Sequence, residues 1–295
     1  MKKTLFTGAG VAIVTPFNED KSVNFDALGN MLEYQIANGT DAVIICGTTG
    51  EASTLSDDEQ IEVIKYTVDK TAGRIPVIAG AGSNDTEHGK VLCRRCQEVG
   101  ADGLLIVTPY YNKTTQKGLV KYYTEMAGAA DLPIIMYSIA GRTGVNIMPT
   151  TAAEIAKIEN VVGIKEASGN ISQVVEIAAL TQGELDIYSG NDDQVIPLLS
   201  IGGKGVISVL SNVAPKYTHD MVASYLNGDV KKACKMQLDC LDLVKNLFSE
   251  VNPIPVKAAL NMMGMKAGTY RSPLLEMEEE HRAQLERAMR DFGIL

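Results

Sequence analysis

Eight short apolar runs, each followed by a stretch of helical length, set the terms on which this 295-residue chain can fold. They are Gly10–Thr15, Ala42–Gly47, Pro76–Ala81, Gly103–Val107, Pro133–Tyr137, Val161–Glu166, Asp186–Gly190 and Gly205–Val209. A run such as Val161-Val162-Gly163-Ile164 is apolar on both faces, which suits a strand covered on both sides, as in a parallel sheet. Eight strands alternating with helices predict an α/β chain folded as a (β/α)8 TIM barrel. The intervening helices carry start and stop signals. Asn24 precedes a stripe at Leu28, Met31, Leu32 and Ile36 that Gly39 closes. Ser56-Asp57-Asp58-Glu59 is a capping box, and Asp85 to Val99 and Thr115 to Ala130 fill the next two helical slots. A doubly wound open sheet ranks second, because the unit count is eight and no Gly-x-Gly-x-x-Gly is present.

Beyond residue 225 the pattern changes to helix upon helix. One run opens at Gly228-Asp229 and reaches about Ser249. Asn252-Pro253-Ile254-Pro255 starts another that ends at Gly264. A last helix, acidic first and basic last as the helix dipole favours, spans about Glu276 to Arg290. Residues 1–225 therefore read as a catalytic barrel, and 226–295 as a helical region packed on its wall.

Charge and cysteine usage narrow the class of function. The net charge is −9 and no block of Lys or Arg stands out, so neither nucleic acid nor an anionic membrane is an expected partner. No apolar run approaches the roughly 20 residues that span a bilayer, and the first residues lack a secretory core. An odd count of five cysteines suits reduced thiols in a cytoplasmic protein. Cys93-x-x-Cys96, with His88 nearby, has no second pair to complete a zinc site. Both cysteines read as packing residues on a helix, and no metal is expected.

In such a barrel the chemistry sits where strands end, at the carboxyl face. Strand six ends in Lys165. An ammonium there leaves water at a cost, which favours the neutral amine, a nucleophile able to form Schiff bases with ketones. Strand two ends in Gly47-Thr48-Thr49-Gly50-Glu51, a tight turn whose backbone N–H groups can converge on a carboxylate. Strand four ends in Thr108-Pro109-Tyr110-Tyr111, and strand five in Tyr137 with Arg142 in its loop. Ser189-Gly190-Asn191-Asp192 closes strand seven, and strand eight carries Ile207-Ser208. Tyr137 can move protons for Lys165, with Thr48 and Tyr111 extending the phenol into a proton wire. Arg142 offers a guanidinium fork suited to a carboxylate.

Four segments together are specific: Gly47-Thr48-Thr49-Gly50-Glu51, Tyr137 with Gly141-Arg142-Thr143-Gly144, Gly163-Ile164-Lys165-Glu166-Ala167-Ser168, and Asn252-Pro253-Ile254-Pro255-Val256-Lys257. In this order the chain resembles the dihydrodipicolinate synthase family, class I aldolases on a (β/α)8 barrel, from Gly10 to the last helix. The resemblance implies that Lys165 forms a Schiff base with pyruvate. Its enamine would then add to L-aspartate 4-semialdehyde, in the diaminopimelate route to lysine. It also implies a relay of Tyr137, Thr48 and Tyr111, with Tyr111 supplied by a neighbouring subunit. Thr49 would bind the pyruvate carboxylate and Arg142 that of the aldehyde, while Gly190 and Ile207 line the pocket. No cofactor is implied, and the expected assembly is a homo-oligomer, a dimer of dimers.

Two departures from the family pattern stand out. Where the family reads Tyr-Asn-x-Pro, this chain has Tyr137-Ser138-Ile139-Ala140. The lost proline frees a φ angle, so a less rigid presentation of Arg142 is expected. Lysine-inhibited members carry rings or acids on the helix after the Thr-Thr turn and a glutamate on the next. Here those positions are Asp57, Gln60 and His88, although Asn84 and Tyr110 are retained, so weak or absent feedback by L-lysine is expected. A sister activity on the same Schiff-base barrel, of N-acetylneuraminate lyase or sugar-acid aldolase type, is the alternative. Those enzymes generally lack an arginine in this loop. A non-catalytic keto-acid-binding barrel is more remote, since nucleophile and phenol are both present.

Overall fold

A computed structural model describes residues 2–295. Strands β1 (Gly8–Ala12), β2 (Ala42–Ile45), β3 (Val77–Gly80), β4 (Gly103–Val107), β5 (Ile134–Ser138), β6 (Val161–Glu166), β7 (Asp186–Ser189) and β8 (Gly205–Ser208) run in sequence order round a closed parallel barrel. The (β/α)8 expectation holds. Closure comes from β1 beside β8, with Gly8 opposite Gly205. The backbones meet so closely that a Cβ on Gly205 would lie 1.8 Å from the Gly8 carbonyl oxygen; only glycine fits.

Strand β1 lies two residues earlier than its apolar run suggests. Two polar side chains account for the offset. The Asp41 carboxylate accepts from the Ala9 N–H at 2.7 Å, at the start of the strand. Asn212 Oδ1 accepts from the Val14 N–H at 3.2 Å, taking the place of a ladder partner.

Two apolar layers follow from the alternation of side chains. Ile44, Ile78, Leu105, Ile135, Tyr188 and Ile207 fill the barrel interior. Helical stripes such as Leu28, Leu32, Ile64 and Leu119 pack on the outside of the strands. The caps form as the sequence indicates. Asn24 accepts from the Ala27 N–H ahead of helix Phe25–Ala37. Ser56 and Glu59 make a reciprocal capping box for helix Asp57–Thr71, a device of which the cap alone contributes about 1 kcal/mol. Cys93 and Cys96 are buried within helix Thr86–Glu98, and burial pushes both thiols up to about 12. Such thiols are inert packing groups.

The C-terminal region differs in detail from its sequence pattern. The first run breaks into helices Val230–Asp239 and Leu241–Leu247, with a bend at the fully buried Cys240. No proline or glycine marks that break. Helix Ile254–Met262 follows, and the last helix spans Glu279–Phe292, starting three residues later than its charge pattern suggests. Among the described residues no helix is long and apolar enough to cross a membrane.

Candidate active site

Strand register builds the centre of the site. Tyr137 of β5 pairs with Lys165 of β6, which pairs with Tyr188 of β7. Partners in a parallel ladder share a face, so all three side chains enter the barrel, where Ile207 of β8 also lies. Tyr188 is fixed below: its hydroxyl donates to the Phe6 carbonyl at 2.7 Å, and its ring stacks on Phe6 with centroids 4.4 Å apart. Lys165 Nζ lies 4.3 Å from the centroid of the Tyr137 ring. Residue 190 leaves room for the lysine, since a Cβ on Gly190 would stand 3.2 Å from Lys165 Cε and 2.7 Å from Ala167 Cβ.

Burial sets the protonation of this pair. Desolvation lowers the Lys165 amine from 10.5 to about 8; the nearby Asp192 charge opposes the change and the Arg142 charge adds to it. At pH 7 that raises the neutral fraction about 300-fold over an ordinary lysine. Tyr137 moves the other way. Burial pushes its phenol up to about 12, while the Arg142 cation and a hydrogen bond with Thr48 hold it back. A largely neutral phenol thus faces an amine poised near neutrality, the combination that proton transfer at a carbonyl requires.

The turn after β2 is held in an uncommon conformation. Cys46 (φ 54°) and Glu51 (φ 53°) are both left-handed and bracket Gly47–Gly50, which is strain that surrounding contacts must hold. Among the described residues the N–H groups of Thr48 and Thr49 have no intramolecular acceptor, so they are available to an anion. Two contacts from the C-terminal region secure the turn. Asn252 Nδ2 donates to Thr49 Oγ1 at 3.0 Å. Lys257 pairs with Glu51 at 2.7 Å, both side chains being essentially inaccessible. Lys257 also donates to the carbonyls of Thr15 and Thr269.

Arg142 stands in the short helix Ala140–Thr143 and donates to the Asn252 carbonyl at 3.0 Å. Thr143, next to Arg142, closes the turn with its hydroxyl. The Thr143 hydroxyl accepts from the Val145 N–H at 3.1 Å and donates to the Ile139 carbonyl at 3.1 Å. A cavity of about 500 Å³ opens over this ground, lined by Thr48, Tyr137 and Arg142 together with Asp57, His88 and Tyr110.

Lys165, Tyr137, Thr48, Thr49, Arg142, Gly190 and Ile207 are thus gathered at one barrel mouth. Tyr111 is not among them. It has φ 67°, is 91% exposed and does not line the cavity of its own chain. Two groups at the site escape a reading by strand ends. Asn252 and Lys257 reach it from far along the chain. Asp192 looks like an ordinary turn residue, yet is buried against β8, where one oxygen accepts from the Val209 and Leu210 N–H groups at 3.0 and 2.9 Å. The apolar Val195-Ile196-Pro197-Leu198-Leu199 that follows was the available signal for its burial.

Comparisons with known proteins agree with this geometry. The model of the dihydrodipicolinate synthetase family matches residues 5–291. The chain is 56% identical to the 4-hydroxy-tetrahydrodipicolinate synthase of Caldicellulosiruptor bescii, over 99% of this chain and 98% of that one. It superposes on the crystal structure of dihydrodipicolinate synthase from Thermotoga maritima with a TM-score of 0.97 at 43% identity, covering 99% and 100% of the two chains. The synthase from Acinetobacter baumannii, solved in complex with pyruvate, gives a TM-score of 0.97 at 41% identity and the same coverage. With the match running through every strand of the barrel and nearly to the last residue, the chain belongs to the dihydrodipicolinate synthetase family.

Proposed function

We propose that the barrel mouth carries out the 4-hydroxy-tetrahydrodipicolinate synthase reaction, joining pyruvate to L-aspartate 4-semialdehyde, with Lys165 as nucleophile. The neutral amine adds to the pyruvate C2 carbonyl, and loss of water from the carbinolamine leaves an iminium. Loss of a methyl proton gives the enamine, whose carbon attacks the aldehyde. The substrate's own amino group then displaces Lys165 by attack at the imine carbon, closing the ring. The iminium nitrogen serves as the electron sink, so no cofactor is required.

Tyr137 donates and accepts the protons of these steps, with Thr48 as the next member of the relay. Thr49 and its backbone N–H receive the pyruvate carboxylate. Arg142 receives that of the semialdehyde, and Gly190 and Ile207 shape the pocket wall. The amine 4.3 Å from the phenol ring, with both groups buried at one strand end, carries this reading. Tyr111 completes the relay from a neighbouring copy; its left-handed backbone and full exposure support that assignment. The working assembly is at least a dimer, in a dimer of dimers, in the cytoplasm. Residues 226–295 act with the barrel as one catalytic unit, because Asn252 and Lys257 back the carboxylate turn.

Feedback by L-lysine is weak or absent. In the cavity wall the Asp57 carboxylate is already engaged by His88 Nε2 at 3.0 Å, and Ser83 Oγ lies 3.1 Å from His88 Nδ1. Half-maximal inhibition below millimolar lysine overturns this point. The central test holds pyruvate constant and varies the acceptor. Turnover with L-aspartate 4-semialdehyde and none with N-acetylmannosamine or short sugar aldehydes is expected; the reverse preference assigns the chain to a sister lyase.

A further inference from the structure

Asp192 is a second buried ionisable group at the mouth, and the chemistry above gives it no part. Its backbone is pinned: Gln237 Nε2 donates to its carbonyl at 2.8 Å. One carboxylate oxygen is pinned as well, by the N–H groups of Val209 and Leu210. The other, Oδ1, is buried and has no hydrogen-bond partner among the described residues. A carboxylate oxygen buried without a donor is costly unless a positive charge faces it. Among the described residues the Lys165 amine makes no side-chain hydrogen bond. Its side chain passes residue 190 of the turn that carries Asp192, where a Cβ would stand 3.2 Å from Lys165 Cε, and the Asp192 charge acts on the amine.

We propose that Asp192 is the counter-charge of Lys165, a positioning residue whose open oxygen Oδ1 stabilises the cationic forms of the lysine nitrogen, ammonium before reaction and iminium during it. The assignment rests on the Schiff-base reading of Lys165. The other groups facing the pair do not supply that charge. From β5 and its loop come Tyr137, a phenol with a raised pKa, and Arg142, whose positive charge opposes a cation. From β7 comes Tyr188, its hydroxyl committed to Phe6. Glu166, next to Lys165, is occupied by the Ser168 N–H and Gln173 Nε2. Around Asp192 itself stand the Ser208 hydroxyl, the Cys240 thiol, pushed up by burial, and the exposed Asp193. Burial raises the Asp192 carboxyl while Ser208, the two N–H groups and Lys165 draw it back down. Asp192 and Arg142 therefore pull the lysine in opposite directions, on top of the larger lowering by burial.

The test uses the full-length protein with pyruvate and cyanoborohydride, following adduct formation by intact mass across the pH range. Asp192→Asn keeps an acceptor for Val209 and Leu210 but removes the charge. Its midpoint is expected about half a pH unit or more below that of the wild type, because the ammonium has lost its partner. A folded variant with an unchanged or higher midpoint overturns the proposal; a residue that merely ties β7 to β8 moves no midpoint. If Asp192→Asn does not fold, Lys165→Met supplies the second measurement. With the cation gone the buried carboxylate takes up a proton, so infrared spectra near neutral pH show a protonated carboxyl band absent from the wild type. The same spectrum in both proteins ends the idea. Failure of the wild type to carry its adduct on Lys165 strikes the Schiff-base reading itself and is read separately by peptide mapping.

Discussion

Among the described residues two lysines are buried, and their surroundings treat the charge in opposite ways. Lys257, on helix Ile254–Met262, is inaccessible to water but meets a carboxylate at 2.7 Å and two carbonyl oxygens, with the rings of Phe17 and Tyr270 alongside. Its amine is lowered by burial and restored in part by Glu51. Lys165 is also buried but has only a ring face and a carboxylate beyond contact range, so desolvation dominates and its amine is lowered to about 8. Burial alone does not make a nucleophile. What decides is whether the surroundings satisfy the charge or leave it partly unmet. The first lysine is a fastening, and the second is the one proposed as the reagent.

That contrast is breakable by substitution. Lys165→Ala is expected to reduce the pyruvate adduct below detection by intact mass while the far-ultraviolet spectrum stays unchanged; an adduct persisting on another amine removes the distinction. Tyr137→Phe should lower kcat by about 10²–10⁴, the usual contribution of a positioned acid–base group. A variant turning over near the wild-type rate takes the phenol out of the relay. Lys257→Met has the reverse profile. Denaturant unfolding should register a loss of about 3–5 kcal/mol, because the buried Glu51 carboxylate loses its ion-pair partner. Adding Glu51→Gln should recover much of that loss, whereas additive losses in the double variant deny the coupling.

Arg142→Ala should raise KM for the semialdehyde about ten- to a hundredfold, the range of a charge-assisted hydrogen bond, and KM for pyruvate far less. Equal effects on both argue against its assignment to the aldehyde. The mildest prediction concerns pH. A lysine lowered to about 8 loses its proton as pH rises through that value, so adduct formation should climb between about pH 7 and 9. A flat profile there means that the amine is not the titrating nucleophile.

Much of this was legible in the sequence, for a physical reason. A strand covered on both faces is a continuous apolar run, so the eight runs mark the strands, and the residues at their ends mark the mouth. The limits are equally physical. The apolar run of the first strand extends past Ala12, and only the long-range contacts from Asp41 and Asn212 mark where the ladder begins and where it stops. The bend at Cys240 is set by packing around a buried side chain and leaves no local mark. Asn252 and Asp192 are ordinary turn residues until the fold brings Thr49 to one and strand β8 to the other. Tyr111 is the converse. The motif places it at the site, but a single chain leaves its phenol in water.

Asn252 touches both anchor points, Thr49 through its side-chain amide and Arg142 through its carbonyl. During synthesis the ribosome delivers Lys165, the proposed nucleophile, long before it delivers the residue that joins the two anchors. A nascent or truncated product ending ahead of position 252 therefore lacks the residue that bridges Thr49 and Arg142. Final assembly of the mouth belongs to the last stretch of translation.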